Sequence, residues 1–192
     1  FTNPMVRICD AVNRHSQIKA VGLCHQIYAG YGMVGVALAN DLGIEVPEGL
    51  TGMHAAVDQH PLQHRVREQI VPLVDIRAAG LNHFTWILSI NDRRTGEDPY
   101  PLFRKRFFEL KPELEPLTRD VFSAFGLFPV PGDTHLCEYL PWMSNPDTKP
   151  WDKYNIRLYD WELMAAVRDF EIDRLNEMAN GKQTIRHLLD TD

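Results

Sequence analysis

Two short runs rich in β-branched and aromatic residues, Val71 to Arg77 and Phe84 to Ile90, are separated only by Ala78-Ala79-Gly80-Leu81-Asn82-His83. A parallel crossover needs a dozen or more residues, so runs this close must pair antiparallel. The spacing therefore predicts a hairpin, with His83 at the start of its second strand. Helical patterns surround it. Met5, Ile8, Cys9 and Val12 recur at helical spacing directly after Asn3-Pro4, and Tyr28 to Leu42 reads as a helix ended near Gly43, with Gly30, Gly32 and Gly35 weakening its first turns.

Further on, Pro101 to Leu110 and Glu113 to Phe125 read as helices with Pro near their first turns, and Tyr159 to Asn180 as the longest helix. Its apolar face would carry Trp161, Met164, Val167, Phe170, Leu175 and Met178. Ile18 to Leu23 is short and apolar, which suits a buried strand leading into Cys24-His25. Val46 to His64 shows no period and reads as an insertion or long loop. Helices and strands in one chain make the fold α/β, with an α+β portion toward the carboxyl end.

Composition excludes several classes. The chain has 192 residues, a formal net charge of −6 and scattered basic residues, so it builds no positive stripe for nucleic acid. Apolar stretches fall well short of the ~20 residues that span a bilayer, so no membrane partner is expected. Three irregularly spaced cysteines without a signal peptide argue for a reducing, cytoplasmic setting.

Chemistry-bearing residues fall into three groups. Cys24-His25 follows the expected strand, where open sheets place their ligand sites, and a second imidazole such as His83 would suit a divalent transition metal. Packing alone would equally explain Cys24 as a small buried hydrophobe and His25 as a loop histidine. Gly132-Asp133-Thr134-His135, with Glu138-Tyr139 behind it, offers a carboxylate, an imidazole and a phenol for acid–base work. The same segment also reads as a helix start, with Asp133 as its cap and Glu138 solvated. His54, His60 and His64 match no ligand spacing, and Arg104-Lys105-Arg106 reads as a solvated face. Trp142 and Trp151 could stack on a sugar ring, with core packing as the alternative.

Taken in order, Thr2-Asn3-Pro4, Val21-Gly22-Leu23-Cys24-His25, Gly80-Leu81-Asn82-His83 and Gly132-Asp133-Thr134-His135-Leu136-Cys137-Glu138-Tyr139 resemble glycoside hydrolase family 4. The resemblance implies a fold similar to lactate and malate dehydrogenases. Residues 1–25 would be the tail end of an NAD-binding Rossmann domain, and 26–192 an incomplete catalytic C-terminal domain. The glycine-rich NAD fingerprint expected before Asn3 is not in this chain, which is therefore read as a piece of a longer protein.

The resemblance further implies NAD and Mn2+ as cofactors, with Cys24 and His83 as metal ligands and Asn3 beside the nicotinamide. Asn3, His25 and Asn82 would contact substrate. The implied reaction oxidises the sugar at C3, removes the C2 proton, eliminates the leaving group and adds water; the family is an exception to the two-carboxylate rule for glycosidases. Asp133 is the expected base, with Tyr139 as the alternative, and His25 would protonate the leaving group. His25 after Cys24 points to an unphosphorylated α-glycoside, and family members imply a homo-oligomer, dimer or tetramer. The rivals are a 2-hydroxy acid dehydrogenase and a non-catalytic carbohydrate-binding relic. The adjacent Cys24 and His25 speak against the first.

Overall fold

The computed structural model describes residues 5–22, 26–50, 60–81, 83–156, 158 and 161–182. The chain divides into two units, residues 1–156 and 157–192. In the first lie α1 (Met5–His15), α2 (Ile27–Ala37), α3 (Ala39–Leu42), α4 (His60–Ile70), β1 (Val74–Leu81), β2 (Phe84–Asp92), α5 (Tyr100–Glu109), α6 (Pro116–Phe125), β3 (Phe128–Pro129) and α7 (Asp133–Tyr139). Short 3-10 helices follow at Pro141–Met143 and Pro150–Tyr154, and the second unit contains α8 (Trp161–Ala179). Among the described residues the first unit is mixed α/β, with a three-stranded sheet of order β1-β2-β3.

The hairpin is antiparallel as expected, but its first strand differs. Val71 to Leu73 is a turn that closes α4, and β1 runs on through Ala78, Ala79 and Gly80, which the sequence places in the connection. Those residues have little strand preference of their own; pairing with β2 decides the matter. Ile76 faces Ile90 and Arg77 faces Ser89, but Ala78 faces Ile87, so Leu88 is an extra, bulged residue. As a result Ile87 and Ile90, three apart, both enter the same core.

That core is closed by α2, whose apolar residues and glycines are buried on nearly every side. A Cβ at Gly35 would sit 2.8 Å from Val66 Cγ1 and 3.2 Å from Ile70 Cβ, so the glycine lets α4 approach closely. The expected single helix to Leu42 breaks at Leu38, and α3 ends on Gly43 at φ 71°. His60 onward, read as part of a loop, is helical as α4. Ile18 to Gly22, where a strand was expected, carries none; Ile18 and Val21 are exposed, with no sheet neighbour to bury them. Instead the Asn13 side chain makes two hydrogen bonds to the Ala20 backbone.

Phe103, Phe107, Phe122 and Phe128 are fully buried or nearly so and pack ring on ring with centroids 5.1–6.1 Å apart. The charge run beside them is not simply solvated. Arg104 lies over the Phe122 ring and donates to the Gly126 carbonyl, while Arg106 pairs with Asp41 and Glu109. A planar guanidinium can cover an aromatic face while bonding outward. Tyr100 Oη accepts from Phe128 N–H and donates to the Ile87 carbonyl, tying β2 to the short β3. In the second unit, Val167, Phe170 and Leu175 of the long helix are exposed.

Asp92 closes the far end of β2. Its carboxylate accepts from the Arg94 backbone and guanidinium, which holds it at about 2, below the usual carboxylate range. Because the folded value is lowered, this stability is present above the ordinary value and is lost as pH falls toward about 2. Asp92→Asn is therefore expected to blunt the fall in the urea midpoint between pH 4 and 2. An unchanged acid slope would show that the pair contributes nothing to it.

Candidate functional site

His83 stands in the turn of the hairpin, half-buried, next to the Leu81–Phe84 pair that ends the ladder. Gly80 makes this closure possible: a Cβ there would run into the Phe84 carbonyl and the Thr85 backbone. The His83 ring packs on that of His135, with centroids 4.6 Å apart. His135 Nδ1 is 3.2 Å from Glu138 Oε2, a contact in which an Nδ1–H donates to the carboxylate. Glu138 is thus partnered, not merely solvated. Tyr139 stacks on Phe84 at 5.6 Å and stays partly exposed. The hairpin tip and one side of α7 form a single patch.

Asp133 occupies the other side of α7. It is the first residue of its own helix, whose N-cap is Gly132, and its carboxylate serves a different helix. Oδ2 accepts from Leu117 N–H at 2.8 Å and Oδ1 from Thr118 N–H at 2.7 Å, two of the unpaired donors at the start of α6. The capping chemistry is the one the sequence allows, applied to the wrong helix. Glu115, also buried, accepts from the Asp133 N–H at 2.7 Å. Burial and the Glu115 charge push the Asp133 carboxyl up to about 7, against the pull of the two N–H bonds. A carboxyl poised near neutrality is matched to proton transfer at neutral pH.

Of the residues singled out from sequence, His83, Asp133 and Tyr139 are therefore drawn to one helix and the adjoining hairpin. Asn3, Cys24, His25 and Asn82 lie outside the described residues, as does His54. His64 is exposed and lies 3.4 Å from Glu68. Trp142 is exposed, and Trp151 packs on the small core around Leu136 and Cys137. Among the described residues no three His, Cys, Asp or Glu side chains form a metal-holding group. Glu115 escaped the sequence reading. Its local signal is the Glu-Pro step that starts a helix, but nothing in the order of residues tells that its carboxylate meets Asp133.

Fold and site thus define a domain in which one short helix meets a hairpin histidine on one side and holds a buried carboxyl on the other. The model of the family 4 glycosyl hydrolase C-terminal domain matches residues 78–189, more than half of the chain. The chain belongs to that family. It is 30% identical over 159 residues to an alpha-galacturonidase of Bacillus subtilis (strain 168), covering 73% of this chain and 30% of that protein. A second alpha-galacturonidase, from Thermoanaerobacter italicus, is 23% identical over 95% of this chain and 39% of its own length. An alpha-galactosidase of Bacillus subtilis (strain 168) is 26% identical, over 74% of this chain and 26% of its own. The chain spans well under half the length of the curated relatives it matches. No solved structure matches it. No helix among the described residues is long and apolar enough to cross a membrane.

Proposed function

We propose that the full-length protein hydrolyses an unphosphorylated α-glycoside by oxidation at C3, removal of the C2 proton, elimination and water addition. The observation that carries the reading is the seating of α7 between the hairpin and α6, which sets His135 on His83 and holds Asp133, buried, on the start of α6. Two segments of the family resemblance, far apart in sequence, are joined there. The names of the relatives favour a galacto-configured sugar.

Asp133 is the base that takes the C2 proton, supported by a carboxyl raised to about 7. Tyr139 is the alternative, supported by its partial exposure on the same helix. His25 protonates the departing oxygen, and Asn3, His25 and Asn82 hold the sugar. His83, a half-buried imidazole in a tight turn, fits a divalent transition metal, and Cys24 would complete a thiolate–imidazole pair that favours a transition ion over magnesium, with manganese the ion the family implies. When bound, such a metal supplies Lewis acidity toward neighbouring sugar hydroxyls, and NAD supplies the hydride acceptor.

NAD enters through the family alone, since Asn3 lies outside the described residues. On the same footing, 1–25 ends a Rossmann domain, 26–192 belongs to a lactate and malate dehydrogenase-like catalytic domain, and the protein is a cytoplasmic dimer or tetramer. The test is a glycoside deuterated at C2. Turnover by the full-length enzyme should wash the label into solvent, since the proton leaves before the leaving group departs. Complete retention of deuterium through turnover would rule out the route, and absence of any turnover would favour a binding relic.

A further inference from the structure

The amino ends of α6 and α7 meet head to head, and each is closed by a carboxylate from the other. Asp133 of α7 accepts from Leu117 and Thr118 of α6, and Glu115, the N-cap of α6, accepts from the Asp133 N–H of α7. Glu115 makes no side-chain cap on its own helix. Its backbone sits at φ 49° and ψ 60°, left-handed and disfavoured for a residue with a Cβ, and its side chain is buried. Gly132 makes room for it: a Cβ there would lie 3.2 Å from Glu115 Oε2. Two adjacent elements are thus shaped around one carboxylate whose hydrogen bond goes to the Asp133 backbone.

We infer that Glu115 is a positioning residue for Asp133, fixing its backbone at the start of α7 and setting the charge in which its carboxyl exchanges a proton. The inference rests on Asp133 being the base. The other groups facing Asp133 fit this arrangement. On its own helix Cys137 has a thiol pushed up by burial and by the charges of Glu138 and Asp133. From β2, Phe84 and Trp86 pack on the same small core as Cys137 and carry no charge. Glu115 is therefore the group from α6 whose charge acts on the pair, next to burial itself.

The sign follows. Asp133 is raised in the folded protein, so the pair's contribution to stability is fully present below the ordinary carboxylate value and is lost as pH rises through about 7. Glu115→Gln keeps an oxygen for the Asp133 N–H and removes the charge. In the full-length enzyme acting on an aryl α-galactoside, this variant should move the acid limb of the kcat profile down by about one pH unit or more, with KM within about twofold. Its thermal midpoint should also fall less between pH 5 and 8 than that of the native enzyme. Glu115→Gly, which tolerates φ 49° without strain, should lose kcat by about tenfold or more and leave Glu115→Gln the better of the two. An unmoved acid limb and thermal slope in Glu115→Gln, with Asp133→Asn inactive, would overturn the role of Glu115 while sparing the base. Full kcat in Asp133→Asn would overturn the base itself, and the positioning role with it.

Discussion

Asp133→Ala in the full-length enzyme is expected to lower kcat by about 10²–10⁴-fold, the usual range for losing a positioned acid or base. Release of C2 deuterium should slow in step, because the same carboxyl is the one proposed to accept that proton. KM should change far less, since other residues, Asn3, His25 and Asn82, are proposed to hold the sugar. A loss of KM alone would mean that Asp133 binds and does not react. The variant also strips two capping bonds from α6, at a cost of about 1–2 kcal/mol of stability. Activity is therefore to be read well below the thermal midpoint, which should itself fall by several degrees. If kcat survives and Tyr139→Phe abolishes it, the base is Tyr139.

The largest effect on stability is expected at Phe122. Its side chain is fully buried, and its ring meets those of Tyr100, Phe103, Phe107, Phe108 and Phe128 and the Arg104 guanidinium. Phe122→Ala should cost about 3–5 kcal/mol, because the neighbouring rings are held by two different elements, α5 and β3, and cannot all collapse into the gap. Denaturant titration would show this as a lower midpoint at an unchanged slope. Phe122→Leu should recover a good part of the loss. A cost under about 1 kcal/mol for the alanine variant would mean that the cluster repacks freely.

How far sequence could be read depended on range. The hairpin was legible because strand alternation and a short connection are local, and so was the glycine that ends α3. Ile18 to Gly22 misled because its apolar run promised sheet neighbours, and among the described residues it has none. Ala78 to Gly80 misled in the opposite way, since a good partner strand outweighed poor intrinsic preference. In the site, His83 and Asp133 stood out by their motifs. The donors that Asp133 would satisfy, and the carboxylate that would sit beside it, depend on where α6 turns relative to α7. No local pattern encodes that encounter.

The extra residue in β2 has a further meaning for how this domain can change. Because Leu88 shifts the phase of the strand by one, Ile87 and Ile90 share the core face while Phe84 and Trp86 look to the opposite one. Drawing Leu88 into the ladder as a regular strand residue, with Ile90 held inward, would turn the hairpin tip over and put Phe84 and Trp86 on the Ile90 face. The bulge thus acts as a clutch between two halves of one strand: the inner half packs on the core beneath α2, while the outer half packs on the small core around Leu136 and leads to His83 in the turn.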